Sequence, residues 1–389
     1  MNSSQPSKVF IHNGRIKTMA GAEFVGSILI EGKIIKALGE NLPVPSDAKV
    51  IEAEGRLVLP GFIDAHCHVG IGEEIYHEGD DINEMTEPVT PELRAIDGIN
   101  PEDEGFRDAR LGGVTTVFTG PGSANVIGGT GVVMKTAGKI MDKMIVREPA
   151  GLKVAFGENP KVVYGEQKKM PMTRMGTAAL LRQALVDAQT YQEKLEQGDS
   201  DPDKKPERDL GLENLVRVLK REIPLRAHAH RADDIMTAIR IAREFKVDLV
   251  LDHCTEGHKI AEELAEYGYP AVVGPSLINR AKVELKDKTF RTPGVLARAG
   301  VKVALMTDHS VTPIEQLPLC AGLAVKEGME EEDALQAITI KAAEILGVAE
   351  RVGSLEVGKD ADIVVWSDDP LLLKAKPLYV IINGDIITS

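Results

Sequence analysis

Cysteine and aromatic residues are scarce in this chain: three Cys and one Trp among 389 residues, with Phe, Trp and Tyr together at 4%. Cysteines as scattered as Cys67, Cys254 and Cys320 cannot form a disulfide framework, which points to a reducing compartment and hence the cytoplasm. Their expected place is as small buried fillers. A basic excess is missing too. Acidic residues number 60 against 46 Lys plus Arg, a formal net charge of −14, so no basic face is expected for nucleic acid or an anionic membrane. No apolar run is long enough to cross a bilayer, and the polar stretch from Met1 to Lys8 lacks the apolar centre of a signal peptide. Internal repeats and low-complexity tracts are absent as well. What is present is an ordinary globular composition, 43% hydrophobic and 27% charged, with length for one large core and a smaller satellite domain.

Three regions separate by pattern. From Lys8 to about Leu59 the runs KVFIHNGRIKTM, SILIEGKIIKAL and KVIEAEGRLVLP alternate β-branched residues between Gly and Asn-Gly turns, the signature of short strands. The same style returns in ADIVVWSDDP and PLYVIINGDII, which predicts one composite β-sandwich from residues 1–60 and 348–389. The middle, residues 61–347, alternates strand-like runs with helical patterns. The runs are GFIDAHCH, VTTVFTG, NVIGGTGVVMK, LKVAFGE, IPLRAHAH, LVLDHCTEG, AVVGPS and VKVALMTDH. Eight of them predict an α/β fold, a (β/α)8 TIM-type barrel. Ile235, Ala238, Ile239, Ala242 and Phe245 form a helical stripe, and Thr177 to Glu196 reads as a long helix running into the solvated loop GDSDPDKKPERD. The first strand's loop, Gly70 to Gly105, is long and acidic; it is read as a lid or as a surface excursion.

Catalysis on this fold sits at the C-terminal ends of the barrel strands. The first strand ends in His66-Cys67-His68, and residues two apart on a strand share a face. Strand four ends at Glu158, strand five at His228 and His230, strand six at His253 and strand eight at Asp308. Five of the nine histidines therefore stand at strand ends of one barrel. A satisfied core histidine accounts for any one of them but not for the set. Imidazoles and carboxylates converging in this way form a nitrogen and oxygen cage for one or two divalent ions, zinc first, with Mn, Fe or Co as alternatives. Such a metal lowers the pKa of its water from about 15.7 to about 7.

The segments VLPGFIDAHCHVG, GGVTTV, RAHAHRADD, LDHCTEG, LMTDH and VGSLEVGKDADIVVW resemble the amidohydrolase superfamily over nearly the whole chain, in its imidazolonepropionase-related branch. The resemblance implies that His66 and His68 bind the more buried metal and that His228 and His253 bind the more exposed one. Asp308 would contact the buried metal and act as general base on the water. The bridging group in related enzymes is often a carbamylated lysine on strand four; here Glu158, at the end of that strand, is the expected bridge. His230 is expected as a substrate or oxyanion contact, with direct ligation the alternative. His309 is expected to be structural, His77 a lid contact or bystander, and His12 and His258 structural or surface. Arg231, Arg280 and Lys161 are candidate anchors for a substrate carboxylate. Gly128-Gly129-Thr130-Gly131 lacks the Gly-Lys-Ser/Thr of a phosphate loop and reads as a turn that lets backbone approach the site.

The implied reaction is hydrolysis of an amide C–N bond in a small molecule: a dipeptide, an N-acyl amino acid or a cyclic amide. The alternative is deamination of a ring amidine, but Arg231 stands where such relatives usually place a proton-shuttling Glu. A scaffold without metal is a third reading, and the retained ligand set argues against it. Neither nucleic acid nor membrane is expected as a partner, and a homo-oligomer is a family habit.

Overall fold

The computed structural model describes residues 8–75 and 80–387; His77 lies outside them. The N-terminal strands are β1 (Lys8–Ile16), β2 (Phe24–Glu31), β3 (Ile34–Gly39), β4 (Lys49–Glu52) and β5 (Leu57–Pro60). The barrel strands follow: β6 (Phe62–Cys67), β7 (Val114–Thr119), β8 (Ile127–Lys135), β9 (Ile145–Ala155), β10 (Leu225–Ala229), β11 (Leu249–His253), β12 (Ala271–Val273) and β13 (Val303–Leu305). The chain ends with β14 (Ile363–Trp366), β15 (Pro377–Ile382) and β16 (Asp385–Ile387).

The strands at the two ends of the chain form one hydrogen-bonded sheet in the order β16-β15-β14-β5-β1-β2-β3. β1 forks it: Val9 to His12 pair with β4, while Arg15 and Ile16 pair with β5. The alternating residues Val9, Ile11, Ile28, Ile30, Ile363, Val365 and Ile381 close a core of their own. A buried ion pair ties this sheet to the barrel. Lys135 Nζ, on β8, lies 2.6 Å from Asp362 Oδ2 and 3.0 Å from Asp360 Oδ2.

The barrel sheet runs from β6 to β13 in sequence order. It departs from an all-parallel TIM barrel at one strand: β8 is antiparallel to both β7 and β9. The cause is loop length. Residues 120–126 and 136–144 are too few for a parallel crossover, which takes a dozen or more. The glycine-rich stretch lies inside β8 rather than in a turn. There Gly129 has φ +113°, and a Cβ would sit 2.5 Å from the carbonyl oxygen of Leu93, so a side chain is excluded where the first loop packs on the strand.

Helices fill the outer layer: among the described residues α1 (Glu104–Leu111), α2 (Glu158–Glu166), α3 (Arg174–Ser200), α4 (Leu210–Leu219) and α5 (Ala232–Phe245) precede five more toward the C-terminus. α3 begins at a Thr173 cap whose hydroxyl accepts the Gly176 N–H, and it absorbs the start of the expected charged loop. α5 buries Ile235, Ala238, Ile239 and Ala242. The ring closes through loop backbone just beyond the strands: Asp308 N donates to His66 O at 3.2 Å, and His68 N donates to His309 O at 2.8 Å. That closure brings Asp308 beside the histidines of β6.

Candidate metal centre

Two groups of side chains converge at this end of the barrel, each with ligand atoms within 4.8 Å of one another. One is His66, His68 and Asp308; the other is His228, His230 and His253; all six are buried. Asp308 Oδ1 lies 3.4 Å from His66 Nε2 and 3.2 Å from His68 Nε2. The rings of His228 and His253 approach to 4.2 Å between centroids, and that of His230 stands 4.6 Å from both.

Neighbouring groups orient these rings. His68 Nδ1 donates to Gly120 O at 2.7 Å and His253 Nδ1 to Gly274 O at 3.0 Å. A carbonyl can only accept, so both rings carry the proton on Nδ1 and present a bare Nε2, the form that binds metal. His230 Nδ1 pairs with Thr255 Oγ1 at 2.7 Å. Among the described residues, His228 Nδ1 and Nε2 and His230 Nε2 are buried without a hydrogen-bond partner. Orphaned imidazole nitrogens are costly in a dry interior, and a shared cation would satisfy them. The donor set therefore fits a divalent transition metal.

The electrostatics agree. Burial holds His228 and His253 well below the ordinary histidine value and His230 down to about 3, so all three are neutral at pH 7. Burial pushes Asp308 up, but His253, His66 and His68 outweigh it and keep the carboxyl well below its usual range. The backbone is unusual here as well: His253, Cys254 and Asp308 adopt φ of +71°, +49° and +56°, the left-handed region that few non-glycine residues occupy.

Glu158 does not join either group. It opens α2 past the strand end, where its backbone N–H donates to Glu284 Oε2 at 3.0 Å. Lys153, within β9, reaches the centre instead: it is fully buried, with Nζ 3.2 Å from His66 Nε2. Burial lowers its ammonium to about 8. A lysine inside an otherwise apolar run was the available signal, since a buried cation needs a reason to be there.

Three further residues escaped the sequence reading. Asp252 Oδ2 lies 3.2 Å from His66 Nδ1. Glu284, buried on the turn Val283–Leu285, has Oε1 3.6 Å from His230 Nε2 and 3.9 Å from His228 Nε2. Lys282 Nζ lies 2.9 Å from the same oxygen and donates to Asn159 Oδ1.

A cavity of about 250 Å³ opens between the groups, lined by His68, His228, His230, His253, Lys153 and Asp308 together with Asn83, Ser123, Asn159, Ile278 and Lys282. A larger cavity of about 410 Å³ under the first loop shares Ile82 and Asn83 with it but contains none of the histidines, so the smaller one is the candidate site. Ile82 and Asn83 make that loop a wall of the site, and Asp103 anchors its start by accepting from Gly70 N and Glu74 N.

The proposed carboxylate anchors lie elsewhere. Arg231 pairs with Asp233 and Arg280 with the carbonyls of Lys286 and Lys288; Lys161 sits on α2. His309 is structural: its Nδ1 accepts from Ile314 N and its Nε2 faces Glu74 at 3.3 Å. His12 bonds Ser27 in the terminal sheet and His258 bonds Thr292. All three cysteines are buried; burial pushes Cys254 and Cys320 up to about 12, as suits inert fillers. Among the described residues no helix is long and apolar enough to cross a membrane.

The chain is similar to known proteins. The amidohydrolase family model matches residues 57–387. The solved structure of an amidohydrolase from Thermotoga maritima MSB8 is 45% identical, covers 98% of this chain and 99% of its own, and superposes with a TM-score of 0.95. Amidohydrolase tasK of Hapsidospora irregularis is 30% identical over 93% of this chain, which spans only 40% of that protein's length. Imidazolonepropionase of Acinetobacter baumannii is 26% identical over 91% of both chains. A prolidase crystallised with N-methylphosphonate-L-proline, 17% identical with a TM-score of 0.62, shares the fold. The chain thus belongs to the amidohydrolase family and is a hydrolytic enzyme acting on carbon–nitrogen bonds.

Proposed function

We propose that this enzyme hydrolyses the amide bond of a small molecule, a dipeptide, an N-acyl amino acid or a cyclic amide, at the cavity between the two ligand groups. The observation that carries the reading is the set of four buried imidazoles, His68, His228, His230 and His253, three with Nδ1 bonded outward, that line a single cavity with the anionic Asp308, while His66 stands against that carboxylate. His66, His68 and Asp308 would hold one divalent ion, and His228 and His253 a second. Such ions supply Lewis acidity to the scissile carbonyl and make the attacking water more acidic.

The protein's own groups do the rest. Asp308 is anionic and nearly enclosed, so it can take the proton of the attacking water and return it to the leaving nitrogen. His230, fixed by Thr255 and neutral, presents Nε2 to the cavity as a contact for the substrate carbonyl oxygen. Lys153 takes the bridging position first expected for Glu158. With its ammonium near 8, a fraction of its amine is unprotonated at neutral pH, free to add to CO2 with loss of a proton and yield the carbamate found in related enzymes. The cavity lies below the about 300–1,000 Å³ usual for drug-sized ligands, which favours small substrates. Deamination is less well supported, because Arg231 is engaged with Asp233 outside the cavity.

The test is elemental analysis of purified protein, followed by a screen of dipeptides, N-acyl amino acids, lactams and deaminase substrates with added Zn2+ or Mn2+. Protein that neither carries nor takes up a divalent transition metal would sink the reading.

A further inference from the structure

Beneath the centre lies a charged residue that the chemistry above does not use. Arg226, on β10, is wholly buried, as is Asp252 on β11. Its Nη2 donates to Asp252 Oδ1 at 2.8 Å, its Nε approaches Oδ2 at 3.3 Å, and Nη2 also donates to Ala65 O at 2.8 Å. The guanidinium carbon stands 4.2 Å from the centroid of the Phe118 ring, and that ring stacks on the His66 imidazole at 6.0 Å and 23°. Asp252 Oδ2 in turn lies 3.2 Å from His66 Nδ1, an ion-pair distance, although that nitrogen forms no hydrogen bond. One guanidinium thus touches three supports of His66: the carboxylate behind its ring, the carbonyl of the preceding residue and the aromatic face beside it.

Space is reserved for this arrangement. A Cβ on Gly151, in β9, would sit 2.7 Å from Arg226 Cγ, so the neighbouring strand gives up a side chain at that point. A full negative charge on Asp252 is tolerable at this depth only with a hydrogen-bonded cation beside it. An arginine fork suits the task, since its donors are planar and fixed where a lysine's are not.

We propose that Arg226 is a positioning residue of the buried metal group: it keeps the Asp252 carboxylate against the Nδ1 side of His66 and so leaves Nε2 turned to the ion. This rests on the metal reading above. A carboxylate behind a ligating histidine fixes its tautomer and raises its basicity, and loss of such a partner typically weakens metal binding about 10–100-fold.

The experiment is Zn2+ competition against a chromophoric chelator on metal-stripped protein, with circular dichroism of each preparation. R226M is expected to weaken one Zn2+ equivalent by about 10–100-fold while the other stays within about threefold. R226K, which keeps the charge without the fork, should fall between R226M and the wild type, an ordering that a purely structural role would not produce in affinity. The double variant R226M/D252N removes both buried charges together, so it keeps the core neutral should R226M alone fail to fold; it too should lose affinity for one equivalent. Wild-type affinity in folded R226M, or in the double variant, overturns the proposal. A wild-type protein that binds no Zn2+ would instead overturn the metal reading, and the two failures are therefore distinguishable.

Discussion

Replacing Asp308 by Asn separates charge from shape at the point where the chemistry should be most sensitive. The residue sits at φ +56°, a left-handed conformation that Asn adopts more readily than most side chains. Asp308→Ala would add strain of roughly 1–2 kcal/mol from that backbone alone, so Asn is the cleaner probe. Asp308 Oδ1 faces two imidazole Nε2 atoms at 3.2 and 3.4 Å, and the amide keeps a neutral oxygen for the same neighbours. Folding and metal content should therefore largely survive. What is lost is the anionic base, which contributes about 10² to 10⁴ in rate. At 1.36 kcal/mol per tenfold, that is about 3–5 kcal/mol on the barrier. The assay is kcat on a substrate found by the screen, with circular dichroism and metal analysis of the same preparation. A folded, metallated Asp308→Asn enzyme within about threefold of wild-type kcat would refute the assignment of the base.

Lys153→Met should abolish any dependence of activity on bicarbonate and lower metal stoichiometry; undiminished stoichiometry would remove Lys153 from the bridging position. The same variant makes a pH prediction for metal-free protein. Burial lowers the folded-state ammonium from 10.5 to about 8, so its cost is fully present below pH 8 and is relieved as pH rises to 10.5. Wild-type stability should gain about 3 kcal/mol over that window relative to Lys153→Met, read by denaturant unfolding at both ends. Lys135→Met leaves Asp362 and Asp360 without their buried cation and should cost about 3–5 kcal/mol; a loss under about 1 kcal/mol would show that the pair is not what ties the two sheets. Gly129→Ala should destabilise the protein by more than about 1 kcal/mol, through its positive φ and the nearby Leu93 carbonyl, and should speed proteolysis of the first loop; unchanged cleavage would exclude that packing role.

The strand-end histidines were legible because period-two alternation and the count of eight apolar runs by themselves place His66, His68, His228, His253 and Asp308 at one end of a barrel. Lys153 was not, because in the run GLKVAFGENPK the carboxylate of Glu158 stands at the expected strand end, whereas the longer lysine side chain reaches the centre from two residues before the strand closes at Ala155. Asp252 and Arg226 stayed hidden for another reason. They support ligands rather than bind metal, and their partners, Ala65 and Phe118, come from strands distant in sequence. Glu284 sits on a short turn after β12 with no periodicity to betray it. The reversal of β8 could have been anticipated from connection length alone, since seven residues between VTTVFT and IGGTGVV leave no room for a helix.

The terminal sheet carries a consequence for how the molecule is made. Its central pairing joins β5 to β14, Leu59 opposite Val364, across some three hundred intervening residues. During synthesis the first five strands emerge long before their partner exists, and β5 waits with an open edge through translation of the entire barrel. Closing so long a loop costs little more entropy than closing one half its length, about 0.6 kcal/mol. The delay is therefore a matter of order rather than of energy. The barrel has to assemble first to bring the two ends within reach, and until it does, residues 57–60 offer an unpaired apolar strand to any other chain nearby. Misassembly of this protein should thus begin at the terminal sheet, whose early strands are made before the barrel and whose pairing is completed after it.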